Sequence, residues 1–357
     1  MRLLLVNHVS FAYRKGYSAP QAALYVHKYL RAGYLYALDA DIVKYFDRIP
    51  RAELLSILAS IIPTDSIAYK LTRRFVSTDK VLYSTYHKKR HRRLFGKEIF
   101  RKIKPQRERR NNGVPQGGVL SGMLANLYLH QFDLWVMGEL KKDFDLQYVR
   151  YADDFVILVK DREVLPLIRD RVAAKLAELK LELHTDPDKT RLADINVEGL
   201  DFVGFHFTPN EIEARARNIQ KFKDRFIATL QKDLLDDWPY GSPADRLRNL
   251  IRHRLNYKVL GLTEEVCPTC GKSKGGRPRS WMGYFSVVTR VQQLRELDKW
   301  MREQIYLHVY QHYHYRIGRN TLRESGLASI KQEYYRLRKR KTCQCEDTDT
   351  DAEVVNQ

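Results

Sequence analysis

The sequence predicts an α+β fold in which a mixed layer of strands and helices runs to about Pro209 and a mainly helical, basic part follows. Three observations predict it. β-rich runs occur at Tyr36-Ala37-Leu38-Asp39-Ala40-Asp41-Ile42 and on either side of Ala152-Asp153-Asp154. Helical spacing covers Arg51 to Ile62 and Arg162 to Leu183. Beyond Pro209, residues 211–260 and 281–340 are rich in Arg, Lys, Leu and Gln at helical spacing, with segregated rather than alternating elements.

Taken in order, the first strand ends in carboxylates and leads into the helix that starts near Arg51. Gln147-Tyr148-Val149-Arg150-Tyr151 and Phe155-Val156-Ile157-Leu158-Val159 then read as a hairpin closed by a three-residue Ala152-Asp153-Asp154 turn. The Arg162–Leu183 helix follows, and Gly199 to Thr208 alternates like a short strand pair. The boundaries expected are residual fingers at 1–35, a sheet-bearing domain at 36–209, a helical domain at 210–342 and a solvated, disordered acidic tail at 343–357. Turn chemistry marks a Cys-containing loop at 263–280 inside the helical part.

Composition narrows the function classes. Hydrophobic residues make up 44% of the 357, which is enough for a core and excludes global disorder. A formal charge of +20 exceeds what solubility asks and points to a polyanionic partner, nucleic acid above all. Half of that excess sits between His87 and Arg110, where twelve Lys or Arg face two Glu. Tyr83, Tyr86, Phe95 and Phe100 are interleaved with that basic insertion, a combination suited to stacking and phosphate contact with single-stranded RNA. No apolar stretch reaches the ~18 residues of a membrane span, so a cytoplasmic protein without membrane partners is expected. Four cysteines are too few for a disulfide framework.

The chemistry should lie in the carboxylates. Asp39 and Asp41 stand at a strand edge, and Asp153 and Asp154 at a hairpin tip, each in apolar surroundings. Placing like charges there costs several kcal/mol unless a cation neutralises them. Oxygen donors without His or Cys favour Mg²⁺ or Mn²⁺. If the Asp41 strand lies beside the hairpin, the cluster would hold two ions about 3.5–4 Å apart and suit nucleotidyl transfer. A plain surface turn is the alternative for Asp153-Asp154 taken alone.

Tyr151-Ala152-Asp153-Asp154, preceded by Asp41-Ile42-Val43-Lys44-Tyr45-Phe46-Asp47 and by Gly113-Val114-Pro115-Gln116-Gly117-Gly118-Val119-Leu120-Ser121, closely resembles the palm of bacterial reverse transcriptases of the group II intron type. The resemblance implies a right-hand palm with a helical thumb, and RNA-directed synthesis of DNA from dNTPs with two Mg²⁺ ions. It implies that Asp41 and Asp153 are the principal metal ligands, with Asp154 and the Ile42 backbone beside them. Asp39 falls outside the matching position and is expected to be a solvated neighbour. Phe46 matches the aromatic beneath the incoming sugar that excludes a 2′-hydroxyl; Asp47 is read as structural. Gln116 and Gly117, with Gly118, match the segment that packs against template and nascent pair. Lys189 in Asp188-Lys189-Thr190 matches a general acid for the leaving pyrophosphate. Leu200-Asp201-Phe202-Val203-Gly204-Phe205 resembles the strands that grip the primer.

Departures from the pattern qualify the likeness. The family continues after Ser121 with Pro, whereas this chain has Gly122. The resemblance starts at Ser10-Phe11-Ala12-Tyr13-Arg14-Lys15-Gly16-Tyr17-Ser18, so the fingers are expected to be truncated or completed by a partner protein or RNA, with Arg14 the nearest phosphate contact. Trp281-Met282-Gly283-Tyr284-Phe285 and Leu297-Asp298-Lys299-Trp300-Met301-Arg302 are similar to a thumb and maturase-like region. Cys267-x-x-Cys270 with Cys343-x-Cys345 would complete a four-thiolate Zn²⁺ site if the fold joined them; unliganded thiols, or a knuckle using a nearby His, are the alternatives. The function expected is reverse transcription on an RNA template, one with a dedicated noncoding RNA included, in phage defence or a related bacterial system. An intron maturase and a non-catalytic RNA-binding splicing factor are the alternatives.

Overall fold

A computed structural model describes residues 9–81, 107–108, 110–231, 242–261, 280–314 and 316–339. Compactness divides the chain into two units, Met1–Val203 and Gly204–Gln357.

The first unit is built on a four-stranded antiparallel sheet. Its strands are β1 (Tyr36–Ala40), β4 (Leu146–Tyr151), β5 (Asp154–Val159) and β6 (Arg191–Asp194), in the order β4-β5-β1-β6; β2 (Lys80–Val81) and β3 (Arg107–Glu108) form a separate short pair. Five consecutive apolar residues, Phe155 to Val159, are buried because β5 is an inner strand. Helices cover the sheet. Leu165, Ile168, Val172 and Leu176 recur at helical spacing along Leu165–Glu178 and turn one stripe inward. The helix Ser121–Trp135 is buried around most of its circumference, which accounts for its near-continuous apolar sequence, and it continues through a π-helical turn at Val136–Leu140.

Two expectations need adjusting. The hairpin turn has two residues, not three, because Tyr151 pairs directly with Asp154. Ala152 there takes φ +62°, a left-handed conformation unusual for a residue with a Cβ. The helix expected to reach Leu183 stops at Glu178. Lys180 adopts φ +55°, its amide bonds Ala177, and the Leu181 amide bonds the carbonyl of Leu176, the two hydrogen bonds of a Schellman turn. Residues 182–184 then run antiparallel to Asp41–Val43, with Ile42 bridged to Leu183. β7 (Leu200–Phe202) ends the unit.

In the second unit, β8 (Phe205–Phe207) pairs with β9 (Ile212–Ala214), and helices follow at Ala216–Gln231, Pro243–Leu250, Trp281–Phe285, Val291–Tyr313, Arg319–Glu324 and Ile330–Lys339. Aromatic rings dominate the packing: Phe222 against Trp281, Trp281 against Phe285, and Phe205 stacked on Tyr284. Buried Asp298 caps the last helix, accepting from the Ile330 amide at 2.7 Å, the Lys331 amide at 3.1 Å and the Ser329 hydroxyl at 2.7 Å. Among the described residues no helix is long and apolar enough to cross a membrane.

Candidate active site at the hairpin tip

β1 and β5 run antiparallel with Ala40 opposite Phe155, so one further step along the register sets Asp41 opposite Asp154. Asp153 lies in the turn just before it. The carboxylates feel one another. Burial, then the charge of Asp41, raises the Asp153 carboxyl above its ordinary value. Asp154 is pushed well above the carboxylate range by burial and by the charges of Asp39, Asp41 and Asp153. Lys189 joins the cluster, its ammonium donating to Asp41 Oδ2 at 3.3 Å from a turn fixed by amide bonds to the Asp186 carbonyl.

Among the described residues no three carboxylate, imidazole or thiolate groups stand close enough together to cage a metal ion. The donor chemistry nevertheless fits a hard divalent cation. Two carboxyls held above their ordinary range beside a third are what a nearby 2+ charge would relieve, and all are oxygen donors. The backbone at Ile42 fits as well. The Asp41 carbonyl accepts from His184 and the Val43 amide donates to Glu182, so strand alternation turns the carbonyl of buried Ile42 toward the opposite edge, that of β5.

Asp39 differs from expectation. Its side chain is only 15% exposed and accepts from Arg191 Nε at 3.0 Å, because the β1–β6 register places the two residues opposite each other. It is an ion-paired member of the sheet rather than a solvated neighbour.

Phe46, on the short helix Tyr45–Arg48, is half-buried against the core, and its carbonyl accepts from the Val114 amide at 2.8 Å. Gln116 is exposed and donates to Asp47 Oδ2 at 3.2 Å; Arg110 holds the other oxygen of Asp47 at 3.2 Å. Asp47 therefore ties the Gly113–Ser121 segment to the Phe46 helix. Gly113, at φ +86°, lies so close that a Cβ would fall 2.8 Å from the Asp47 carbonyl oxygen. Gly117 also has a positive φ, +74°, in an exposed turn. The Arg14 guanidinium folds back on its own turn, donating to the Ser10 carbonyl at 2.7 Å and lying 4.0 Å above the Tyr17 ring.

Three contributors escaped sequence reasoning. Arg150, 1% exposed, forks onto both oxygens of buried Asp133, donates to Asn126 Oδ1 at 3.0 Å, and donates to the Ala152 carbonyl at 2.9 Å, directly before Asp153. Burial opposes its charge, but the charge and hydrogen bonds of Asp133 win and hold the guanidinium firmly protonated. Arg51 gathers the carbonyls of Thr78, Arg110 and Gly113 around the start of its helix. Tyr13 forms a T-shaped ring pair with Phe46, their centroids 6.2 Å apart. The Tyr-Ala-Asp-Asp hairpin advertises its acids, whereas nothing local marks Arg150 or Tyr13.

In the second unit, Arg295, Arg302 and Lys331 line a 490 Å³ cavity whose one acidic group, Asp298, is engaged by the helix it caps. Most of the 87–110 insertion, the cysteines Cys267, Cys270, Cys343 and Cys345, and the acidic tail lie outside the described residues.

The reverse transcriptase (RNA-dependent DNA polymerase) family matches residues 3–207. Protein YkfC of Escherichia coli (strain K12) is 32% identical over a segment covering 26% of this chain and 32% of that protein. Among solved structures, apo telomerase from Candida tropicalis is 15% identical, with a TM-score of 0.38 over 68% of this chain and 44% of that one. Telomerase from Candida albicans in complex with a TWJ fragment of telomeric RNA is 13% identical, with a TM-score of 0.39 over 94% of this chain and 56% of that one. The chain thus spans about a third of the curated relative's length and about half of the telomerase chains.

Proposed function

Because the chain belongs to the reverse transcriptase (RNA-dependent DNA polymerase) family, we propose that it extends a primer or priming hydroxyl with dNTPs on an RNA template. The observation that carries this reading is the register that sets Asp41, at the end of β1, beside the Asp153-Asp154 turn of the β4–β5 hairpin, with Lys189 bonded to Asp41. Asp41, Asp153, Asp154 and the Ile42 carbonyl would hold two Mg²⁺ ions, which would supply activation of the attacking 3′-hydroxyl and charge for the departing pyrophosphate. Mn²⁺ suits the same oxygen donors.

This chain's own groups do the rest. Lys189 reaches the cluster with a proton to give to the leaving group. Phe46 offers a ring surface to the incoming sugar, and Gln116 and Gly117 offer an amide and bare backbone to the template side. Arg14 stands as a phosphate contact only if it leaves its turn. Positively lined surfaces such as the Arg295–Arg302–Lys331 cavity support RNA as the partner.

The finer assignment proposed is a domesticated bacterial relative of the group II intron type, acting in the cytoplasm in phage defence with a dedicated RNA. Its support is the replacement of the family's Pro by Gly122. Sequencing nucleic acids that copurify before and after dNTP addition tests it, since template and product are read together, and an intron-only template would refute it. Metal analysis of protein purified without added metal decides between bound Zn²⁺ and free thiols at the four cysteines.

The central test is primer extension by the Asp153→Asn, Asp154→Asn double variant. Synthesis should fall about a thousandfold or more, corresponding to ~4 kcal/mol of lost transition-state stabilisation. Unchanged synthesis by a correctly folded variant would remove the proposal.

A further inference from the structure

We infer that Tyr13 is the outer jaw of a clamp on Phe46, bracing that ring for sugar discrimination, and that residue 122 is glycine in order to admit the Tyr13 ring. The inference rests on the polymerase reading above and adds two residues to it.

Among the described residues, Phe46 forms T-shaped pairs with two tyrosine rings. Tyr45 approaches at 5.8 Å and Tyr13 at 6.2 Å, with interplanar angles of 67° and 85°. Such edge-to-face pairs are attractive beyond the area they bury. The inner jaw is buried and anchored: Tyr45 is 1% exposed, and its hydroxyl donates to the Ala125 carbonyl at 2.5 Å. The outer jaw is 59% exposed, so its side chain has little packing to hold it.

The main chain holds it instead. Tyr13 sits at φ +55°, a conformation that persists in a residue with a Cβ only where its surroundings dictate it. Those surroundings are defined. The Arg150 amide bonds the Val9 carbonyl at 2.7 Å and the Phe11 amide bonds the Arg150 carbonyl at 2.9 Å. Asn126 Nδ2 donates to the Ala12 carbonyl at 2.6 Å. The segment that aims Tyr13 is thus tied to the strand that carries the Asp153 turn.

Gly122 supplies the remaining constraint. It is the second residue of the helix Ser121–Trp135 and has no left-handed φ, so its backbone does not require glycine, and helix propensity favours alanine. A Cβ there would lie within 2.9 Å of three ring carbons of Tyr13. These atoms are at the root of the ring, so the clash is relieved only by moving the whole side chain off Phe46. The departure from the family's pattern at Gly122 and the exposed aromatic that, among the described residues, packs on Phe46 are therefore two halves of a single contact.

The test uses full-length wild type, Tyr13→Ala, Tyr13→Phe, Gly122→Ala and the Tyr13→Ala, Gly122→Ala double variant. Thermal midpoints come first. Gly122→Ala should lower the midpoint with Tyr13 present and raise it in the Tyr13→Ala background, where only the helix preference for alanine remains. A rise in both backgrounds would overturn the pairing, whatever the protein catalyses. The second readout is the ratio of kcat/KM for dNTP over rNTP on a primed RNA. Tyr13→Ala and Gly122→Ala should each lower it about three- to tenfold, the double variant no further, and Tyr13→Phe should keep the wild-type ratio. An unchanged ratio in Tyr13→Ala, multiplying effects in the double variant, or a loss in Tyr13→Phe would overturn the clamp. A wild type that extends no primer would overturn the polymerase reading, and the sign of the Gly122→Ala midpoint shift would still judge the contact.

Discussion

The buried guanidinium of Arg150 invites a quantitative test, because both it and Asp133 are 1% exposed and hydrogen-bond each other through two atoms apiece. Asp133→Ala leaves a full positive charge in the core with only Asn126 and the Ala152 carbonyl facing it. Breaking a buried pair from one side costs about 3–5 kcal/mol. The Tyr148 hydroxyl, which donates to Asp133 at 2.9 Å, loses its acceptor for about 1 kcal/mol more. Against a total of roughly 5–15 kcal/mol for a domain, that is a large fraction. Urea unfolding should therefore show a much lower midpoint with little change in slope. Asp133→Leu combined with Arg150→Met removes both charges and should recover most of the loss. Activity should part company with stability in that double variant. The hydrogen bond to the Ala152 carbonyl is gone, so the turn bearing Asp153 loses its tether, and primer extension should stay about tenfold low, or ~1.4 kcal/mol. A loss below about 1 kcal/mol for Asp133→Ala, or a double variant as unstable as the single one, would refute the reasoning.

Other consequences follow from the same site. Asp154→Asn removes a carboxyl whose charge the fold opposes, so in chelator it should raise the thermal midpoint, while with Mg²⁺ supplied it should abolish primer extension. The sign is fixed by the raised value: chelated wild type should lose stability as pH rises from the ordinary carboxylate range through that of Asp154, and Asp154→Asn should lack this loss in melts across pH. Phe46→Ala should admit ribonucleotides in primer extension, and unchanged sugar preference would defeat its assignment as a gate. Gly113→Ala meets a positive φ and the Asp47 carbonyl together, so urea unfolding should show a loss of about 2 kcal/mol or more.

How much of this was legible in the sequence depends on whether a residue's role is local. The hairpin was readable because two β-rich runs flank acids that a strand otherwise disfavours, and the meeting of Asp41 with that hairpin followed once β1 was placed beside β5. The end of the Leu165–Glu178 helix was not readable, because its Schellman turn puts Lys180 where glycine is the usual signal, and Lys180 pairs instead with Glu53, distant in sequence. Asp39 looked solvated for the same reason: its partner Arg191 comes from a strand that only the register reveals. Asp133 and Arg150 carry the argument furthest. Each alone reads as a surface charge, and a composition-based count adds both to the exposed total. Together they neutralise each other inside the core and leave a strong hydrogen bond for the Ala152 carbonyl, so a fully buried charged side chain steadies the turn that carries Asp153. Sequence patterns locate like charges set together in apolar surroundings, such as the Asp153-Asp154 acids. Groups whose partner is another part of the same chain become visible only once tertiary contacts bring both ends together.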